Sequence, residues 1–275
     1  MNMYNCLVAL PWITVSGILS VIPSPASGGG KDDPKFKDPS FLPAPAQEVK
    51  ASPQNAFRIL FVGNSITRHG IAIENLYDGL PLKWDHVAGM AASTEANDYA
   101  HRLGALIQKT MPNRKVELLF GSLKVISYGS LPPPNLVIIQ TGEHEVPGKS
   151  NEKVAEIYEN SLIKPFRDLN PQTPIICVGI WYPSNGEPYT GWVRGINDAY
   201  QAVCAKYQIP FVSVESVAKD ATCRGWGENP GVKWHPNDKG MEGYAKLLFA
   251  AYCHNRRLGT PIETPLPTSA PEEVK

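Results

Sequence analysis

The sequence predicts an α/β fold built on a parallel sheet of five strands with helices on both faces. Two observations carry this. First, five apolar runs read as strands: Arg58–Gly63 (RILFVG), Val116–Phe120, Asn135–Thr141 (NLVIIQT), Thr173–Trp181 (TPIICVGIW) and Ile209–Val214. Runs of Ile, Val and Leu without polar alternation suit strands buried on both faces. Second, segments of helical character lie between and after them, at Glu95–Thr110, Glu152–Leu169, Gly191–Tyr207 and Lys239–Arg256. In the second of these, Val154, Ile157, Tyr158, Leu162, Phe166 and Leu169 recur at helical spacing and define one buried stripe. Strand and helix alternating in this way imply right-handed βαβ units and a parallel sheet. Ligands of such sheets bind at the carboxyl ends of the strands, so the loops after each strand are the place to look for chemistry.

The regions flanking this domain differ in character. Cys6 to Ile22 is mostly apolar and is followed by the small-residue stretch Pro-Ser-Pro-Ala-Ser-Gly-Gly-Gly, the pattern of an export signal, although its first five residues carry no lysine or arginine. Cys6 lacks the residues expected before a lipidated cysteine. The expected organisation is a signal peptide or N-terminal anchor over 1–27, a Pro- and Gly-rich linker over 28–55, the folded domain over 56–258 and a disordered tail over 259–275. Secretion or residence in the periplasm or cell envelope follows from the first of these, with no stable membrane span in the mature domain.

Composition narrows the function classes. Hydrophobic residues make up 43% and charged residues 19%, the balance of a folded globular chain. Lysine plus arginine equals aspartate plus glutamate at 26 each, and no window concentrates basic residues among aromatics, so nucleic acid is not an expected partner. Four cysteines lie downstream of the leader, Cys177, Cys204, Cys223 and Cys253, at spacings that match no zinc motif. Cys177 sits in an apolar strand and Cys204 in a helix, positions where single thiols are common. A bridge between Cys223 and Cys253 is the expected disulfide if one exists, because both flank the last loop and last helix.

Two positions stand out chemically. Ser65 follows the first strand directly, in Gly63-Asn64-Ser65-Ile66-Thr67, where a serine is exposed at the sheet's carboxyl edge and backbone N–H groups of a following turn are available to a developing oxyanion. Taken alone this is also ordinary turn or helix-cap chemistry. His235 stands in Trp234-His235-Pro236-Asn237-Asp238 before the last helix, with Asn237 or Asp238 as its N-cap; Pro236 holds the histidine in the loop. A parallel α/β sheet brings both ends of the domain to one edge, where histidine can take the serine proton and return it to a leaving alcohol.

Over nearly the whole domain the chain resembles the GDSL/SGNH hydrolases, whose first block matches Gly63-Asn64-Ser65 and whose last block matches at His235. The resemblance implies a three-layer α/β/α sandwich of the SGNH/flavodoxin-like kind, Ser65 as nucleophile and His235 as base. It implies an oxyanion hole from the N–H groups of Ser65 and Gly89, the latter in His86-Val87-Ala88-Gly89-Met90. It implies an esterase that needs no cofactor and no metal. Two positions depart from the pattern. His144 stands where the family has its oxyanion asparagine, in Gly142-Glu143-His144-Glu145, and a neutral imidazole N–H is able to donate there. Val232 stands where the family has the acid that orients the histidine; Glu228 is the first candidate replacement, with Glu143 and Asp238 after it.

Substrate contacts are expected from Asn64, Glu143, Trp181 and Trp234, with Tyr182 and Trp226 as further aromatic candidates and sheet-edge packing as the alternative role. His69 is expected to be a solvated turn residue. Glu143, His144 and Glu145 are neighbours on a strand end that cannot all face one ion, so no metal site is expected. The functional expectation is hydrolysis of short acyl esters on a small-molecule or polysaccharide substrate. The alternatives are a non-catalytic carbohydrate-binding or envelope protein on the same fold, and a polysaccharide O-acyltransferase.

Overall fold

The computed structural model describes residues 55–69, 86–122, 133–143, 148–169, 171–227 and 230–257. The expected leader, linker and tail lie outside these residues. Five strands, β1 (Phe57–Gly63), β2 (Val116–Ser122), β3 (Leu136–Gln140), β4 (Ile175–Val178) and β5 (Phe211–Val212), form one sheet in the order β2-β1-β3-β4-β5. Every pairing is parallel. The expected five-stranded parallel α/β fold is thus the observed one. The strands are buried on both faces as their composition requires: Leu136 to Ile139 of β3 have no exposed surface, and Ile59 to Val62 of β1 almost none.

Helices cover both faces. On one side α1 (Tyr99–Thr110) packs against the long last helix, whose range is Asp238–Arg257. On the other, α2 (Asn151–Tyr158) packs against α4 (Gly191–Lys206), with the Tyr158 and Tyr200 rings stacked at 3.8 Å between them. The segment expected as one helix over 152–169 is interrupted. It runs from α2 through a π-helical turn at Glu159–Ile163 into α3 (Lys164–Leu169). Pro165 explains the break, since it cannot donate to the carbonyl one turn back and its ring crowds that turn, which widens instead. The buried stripe survives at Val154, Tyr158, Leu162 and Phe166. Two short helices were not expected, α5 (Glu215–Lys219) and α6 (Pro230–Trp234); the last helix is therefore α7.

Chain progress across the sheet reverses between β1 and β3, which are neighbours although β2 lies between them in sequence. Outside the carboxyl ends of strands at such a reversal the two outgoing loops diverge and leave a crevice. Gly63 pairs with Gln140 across it. Asn64 and Ser65 leave from one lip and Glu143 from the other.

Candidate active site

Beyond Gly63 the chain makes one helical turn, with Thr67 and Arg68 N–H groups donating to the Asn64 carbonyl at 2.9 and 2.8 Å. Ser65 sits at the top of this turn. Its carbonyl accepts from Met90 N–H at 2.9 Å, which ties the turn to the loop before α1. Its own N–H has no acceptor among the described residues and is free to serve an oxyanion.

The histidine arrives from the other end of the chain. Ser65 Oγ and His235 Nε2 lie 2.6 Å apart, although 170 residues separate them in sequence. His235 Nδ1 lies 2.5 Å from the Gly231 carbonyl. A carbonyl oxygen only accepts, so Nδ1 carries a proton, and in the neutral ring Nε2 is then bare toward the serine hydroxyl. That is the tautomer a general base needs.

Local structure fixes this loop tightly. His235 is buried, and its backbone N–H donates to Gly231 and Val232 carbonyls in α6. Its carbonyl accepts from Gly225 N–H at 2.6 Å, beside an antiparallel bridge between Arg224 and Pro236. A side chain on Gly225 would collide with the Val232 carbonyl, so only glycine allows the two segments this close. Asn237 caps α7, its Oδ1 accepting from Lys239 and Gly240 N–H at 3.0 and 3.1 Å.

Trp181, expected in a substrate cleft, is instead fully buried. Its indole N–H donates to the Trp234 carbonyl at 2.7 Å, so it holds the histidine loop from below. Trp234 itself is half-exposed, its ring edge-on to the His235 imidazole at 5.1 Å and 75°. Tyr182 is half-exposed too, against Trp192 at 5.4 Å. His69 is another correction: it is buried, with its ring 5.9 Å from that of His86.

Of the three acids considered for His235, two are engaged elsewhere. Asp238 accepts from Ser93 N–H at 2.7 Å, Ser93 Oγ at 2.6 Å and Asn97 Nδ2 at 3.1 Å, joining the start of α7 to the loop before α1. Glu143 accepts from Asn64 Nδ2 and Gln140 Nε2, each at 2.5 Å, and from Trp181 N–H at 3.0 Å. Burial pushes the Glu143 carboxyl above the usual range, while the bonds from Trp181, Asn64 and Gln140 pull it back. Glu228 lies outside the described residues, as does His144. Val232, at the family's acid position, is fully buried.

Gly89 N–H, expected in the oxyanion hole, is turned toward Asp98 Oδ2 at 3.5 Å, the long limit of a hydrogen bond. Asp98 is fully buried and caps α1 through His101 N–H at 2.7 Å, with His101 Nδ1 also 2.9 Å from its carboxylate. The helix expected over Glu95–Thr110 thus starts later, at Tyr99, with Asp98 as its cap rather than inside it.

No protein-family model and no curated protein sequence matches this chain. Several solved structures are similar to it. One is a two-domain esterase active on acetylated mannans, at 19% identity over 78% of this chain, with a TM-score of 0.48; the match spans 53% of that longer protein. A second is a member of the lipolytic G-D-S-L family from Veillonella parvula, at 14% identity over 72% of this chain and 99% of that one, TM-score 0.44. A third is an acetylxylan esterase from Geobacillus stearothermophilus, at 14% identity over 76% and 97%, TM-score 0.45.

Proposed function

We propose that this chain is a serine esterase that hydrolyses short acyl esters of the acetyl type, carried on carbohydrate, through an acyl-enzyme on Ser65. The observation that supports it most is the 2.6 Å approach of Ser65 Oγ to His235 Nε2, with Nδ1 of the same ring on the Gly231 carbonyl. In the first half-reaction Ser65 Oγ bonds to the ester carbonyl carbon as its proton passes to Nε2. The Ser65 N–H stabilises the oxyanion and His144 is proposed to complete the hole, which Gly89 N–H joins only by giving up its long contact to Asp98. The ester C–O bond then breaks, and Nε2–H returns the proton to the leaving alcohol. Water repeats the sequence on the acyl-enzyme and releases the acid.

The half-exposed Trp234 ring beside His235 supports a sugar as the alcohol, because an aromatic face packs against the apolar face of a pyranose. The leader-like first segment supports a place outside the cytoplasm, where such substrates occur. No helix among the described residues is long and apolar enough to cross a membrane.

The test is hydrolysis of p-nitrophenyl acetate and of an acetylated sugar by wild type, Ser65→Ala and His235→Ala. Each variant is expected to lose at least about a thousandfold in kcat while remaining folded. Equal turnover by wild type and Ser65→Ala would remove the proposal.

A further inference from the structure

A chain of buried hydrogen bonds runs beneath the serine turn. Tyr99 O–H donates to Thr67 Oγ1 at 2.7 Å, because the Thr67 hydroxyl proton is used on Gln140 Oε1 at 3.3 Å. Gln140 Nε2 donates to Glu143 Oε1, which also takes the Trp181 N–H. Glu143 Oε2 takes Asn64 Nδ2. Asn64 Oδ1 in turn accepts from Ile66 N–H at 3.3 Å, closing a side-chain turn around Ser65. Tyr99, Thr67 and Gln140 have essentially no exposed surface. A Cβ on Gly63 would collide with Thr67 Oγ1, so glycine at the strand end is what lets the hydroxyl fold back to Gln140.

Every donor in this chain points toward one carboxylate. Glu143 joins the ends of β1, β3 and β4, and both its oxygens are occupied from within the protein. It also decides which way the Asn64 amide faces. Only with Nδ2 toward Glu143 does Oδ1 remain for Ile66 N–H. We propose that Glu143 is a positioning residue for Ser65, acting through the Asn64 amide, rather than the substrate contact its sequence position suggested. This rests on Ser65 being the nucleophile.

The pair permits a reciprocal exchange. In Glu143→Gln the new amide nitrogen meets Asn64 Nδ2, and relief requires Asn64 to turn over and release Ile66 N–H. In Asn64→Asp two carboxylates face each other. With both changes together the bond is rebuilt with its polarity reversed. Gln at 143 donates to Asp at 64, whose second oxygen keeps Ile66 N–H, while the Gln carbonyl keeps Gln140 Nε2 and Trp181 N–H.

The experiment measures kcat and KM of the full chain on p-nitrophenyl acetate, normalised by fluorophosphonate titration of active serine, with melting temperatures alongside. Each single variant is expected to lose about tenfold to a hundredfold in kcat, with KM changed by less than about twofold, because misplacement of a nucleophile by a fraction of an ångström costs rate rather than binding. The double variant is expected to regain most of that loss. A double variant no faster than the slower single one would overturn the proposal. So would losses confined to KM, which mean substrate contact, or lower melting temperatures with kcat per active serine unchanged, which mean a structural role only. A wild type that neither hydrolyses the ester nor labels would instead bring down the esterase reading itself. Failed rescue in an active enzyme silenced by Ser65→Ala counts against Glu143 alone.

Discussion

The proton on His235 Nδ1 is held by a neutral acceptor, the Gly231 carbonyl. A backbone carbonyl fixes the tautomer and orients the ring, yet it bonds less strongly than a carboxylate and brings no charge to balance the imidazolium that forms when Ser65 gives up its proton. If Gly231 is the operative partner, the carboxylate of Glu228 is dispensable. Glu228→Gln is then expected to keep kcat within about threefold of wild type, against the roughly 10⁴-fold loss that follows removal of an orienting acid in a triad. Steady-state rates on p-nitrophenyl acetate decide it, and a loss beyond a hundredfold would put Glu228 on Nδ1 instead. At this scale the sequence singled out Ser65 and His235, through a strand-end serine, a loop histidine before the last helix and the resemblance of both segments to the GDSL/SGNH blocks. It did not reveal the internal hydrogen bonds that Trp181 and Glu143 make. Which side of a strand end a residue leaves from depends on the packing of neighbouring loops, and no local pattern records it.

At the level of elements, the histidine loop is positioned by contacts to other segments more than by its own composition. Trp181, at the end of the fourth strand region, holds the Trp234 carbonyl through its indole N–H. Trp181→Phe removes that donor and leaves the carbonyl unpaired, at a cost of about 1–3 kcal/mol for the lost bond and more for the lost volume. The expected result is a lower melting temperature together with a fall in kcat on the scale of the loop's displacement. An unchanged kcat would mean that the loop holds its place without the tryptophan. On the opposite face, Glu159 in the π turn ties that segment to the end of α4, bonding Lys206 Nζ at 2.8 Å and Tyr207 O–H at 2.7 Å. Those two partners hold its carboxyl down, to about 2. A carboxyl depressed on folding stabilises the fold above its unfolded pKa of about 4.3 and loses that contribution as pH falls toward the folded value. Wild type is therefore expected to melt above Glu159→Gln at pH 7, with the gap narrowing between about pH 4.5 and pH 2; a gap independent of pH would refute the assignment. Apolar runs made the strands legible, and a 3.6-residue stripe made the helices so. The π turn was not legible, because the stripe continues through it and only Pro165 marks the place. α6 was hidden for another reason: five residues starting with Pro-Gly have no helical periodicity to show.

For the molecule as a whole, the question is what holds the sandwich together if it resides outside the cytoplasm. All four described cysteines are free thiols. The pairing expected between Cys223 and Cys253 fails on distance. The Cys223 carbonyl accepts from Asn237 N–H at the start of α7, while Cys253 stands sixteen residues further along, about 24 Å away at the rise of an α-helix. A disulfide requires Cα atoms within about 7 Å. Cys177 and Cys204 are enclosed in the core between the sheet and α4 and behave there as small apolar residues. Stability then comes from the two helix layers closing over the parallel sheet, with no covalent closure among the described residues to constrain the unfolded chain. Reductant is accordingly expected to leave the melting temperature unchanged to within about a degree, whereas loss of a native disulfide costs several kcal/mol and many degrees. Among the four described thiols of the folded protein, a thiol reagent should react fastest at Cys253, which is half-exposed, and at Cys177, Cys204 and Cys223 only as the chain unfolds. A fall in melting temperature on reduction would mean that two of these thiols meet in the working protein, and the core pair Cys177 and Cys204, on adjoining layers, would be the first to map.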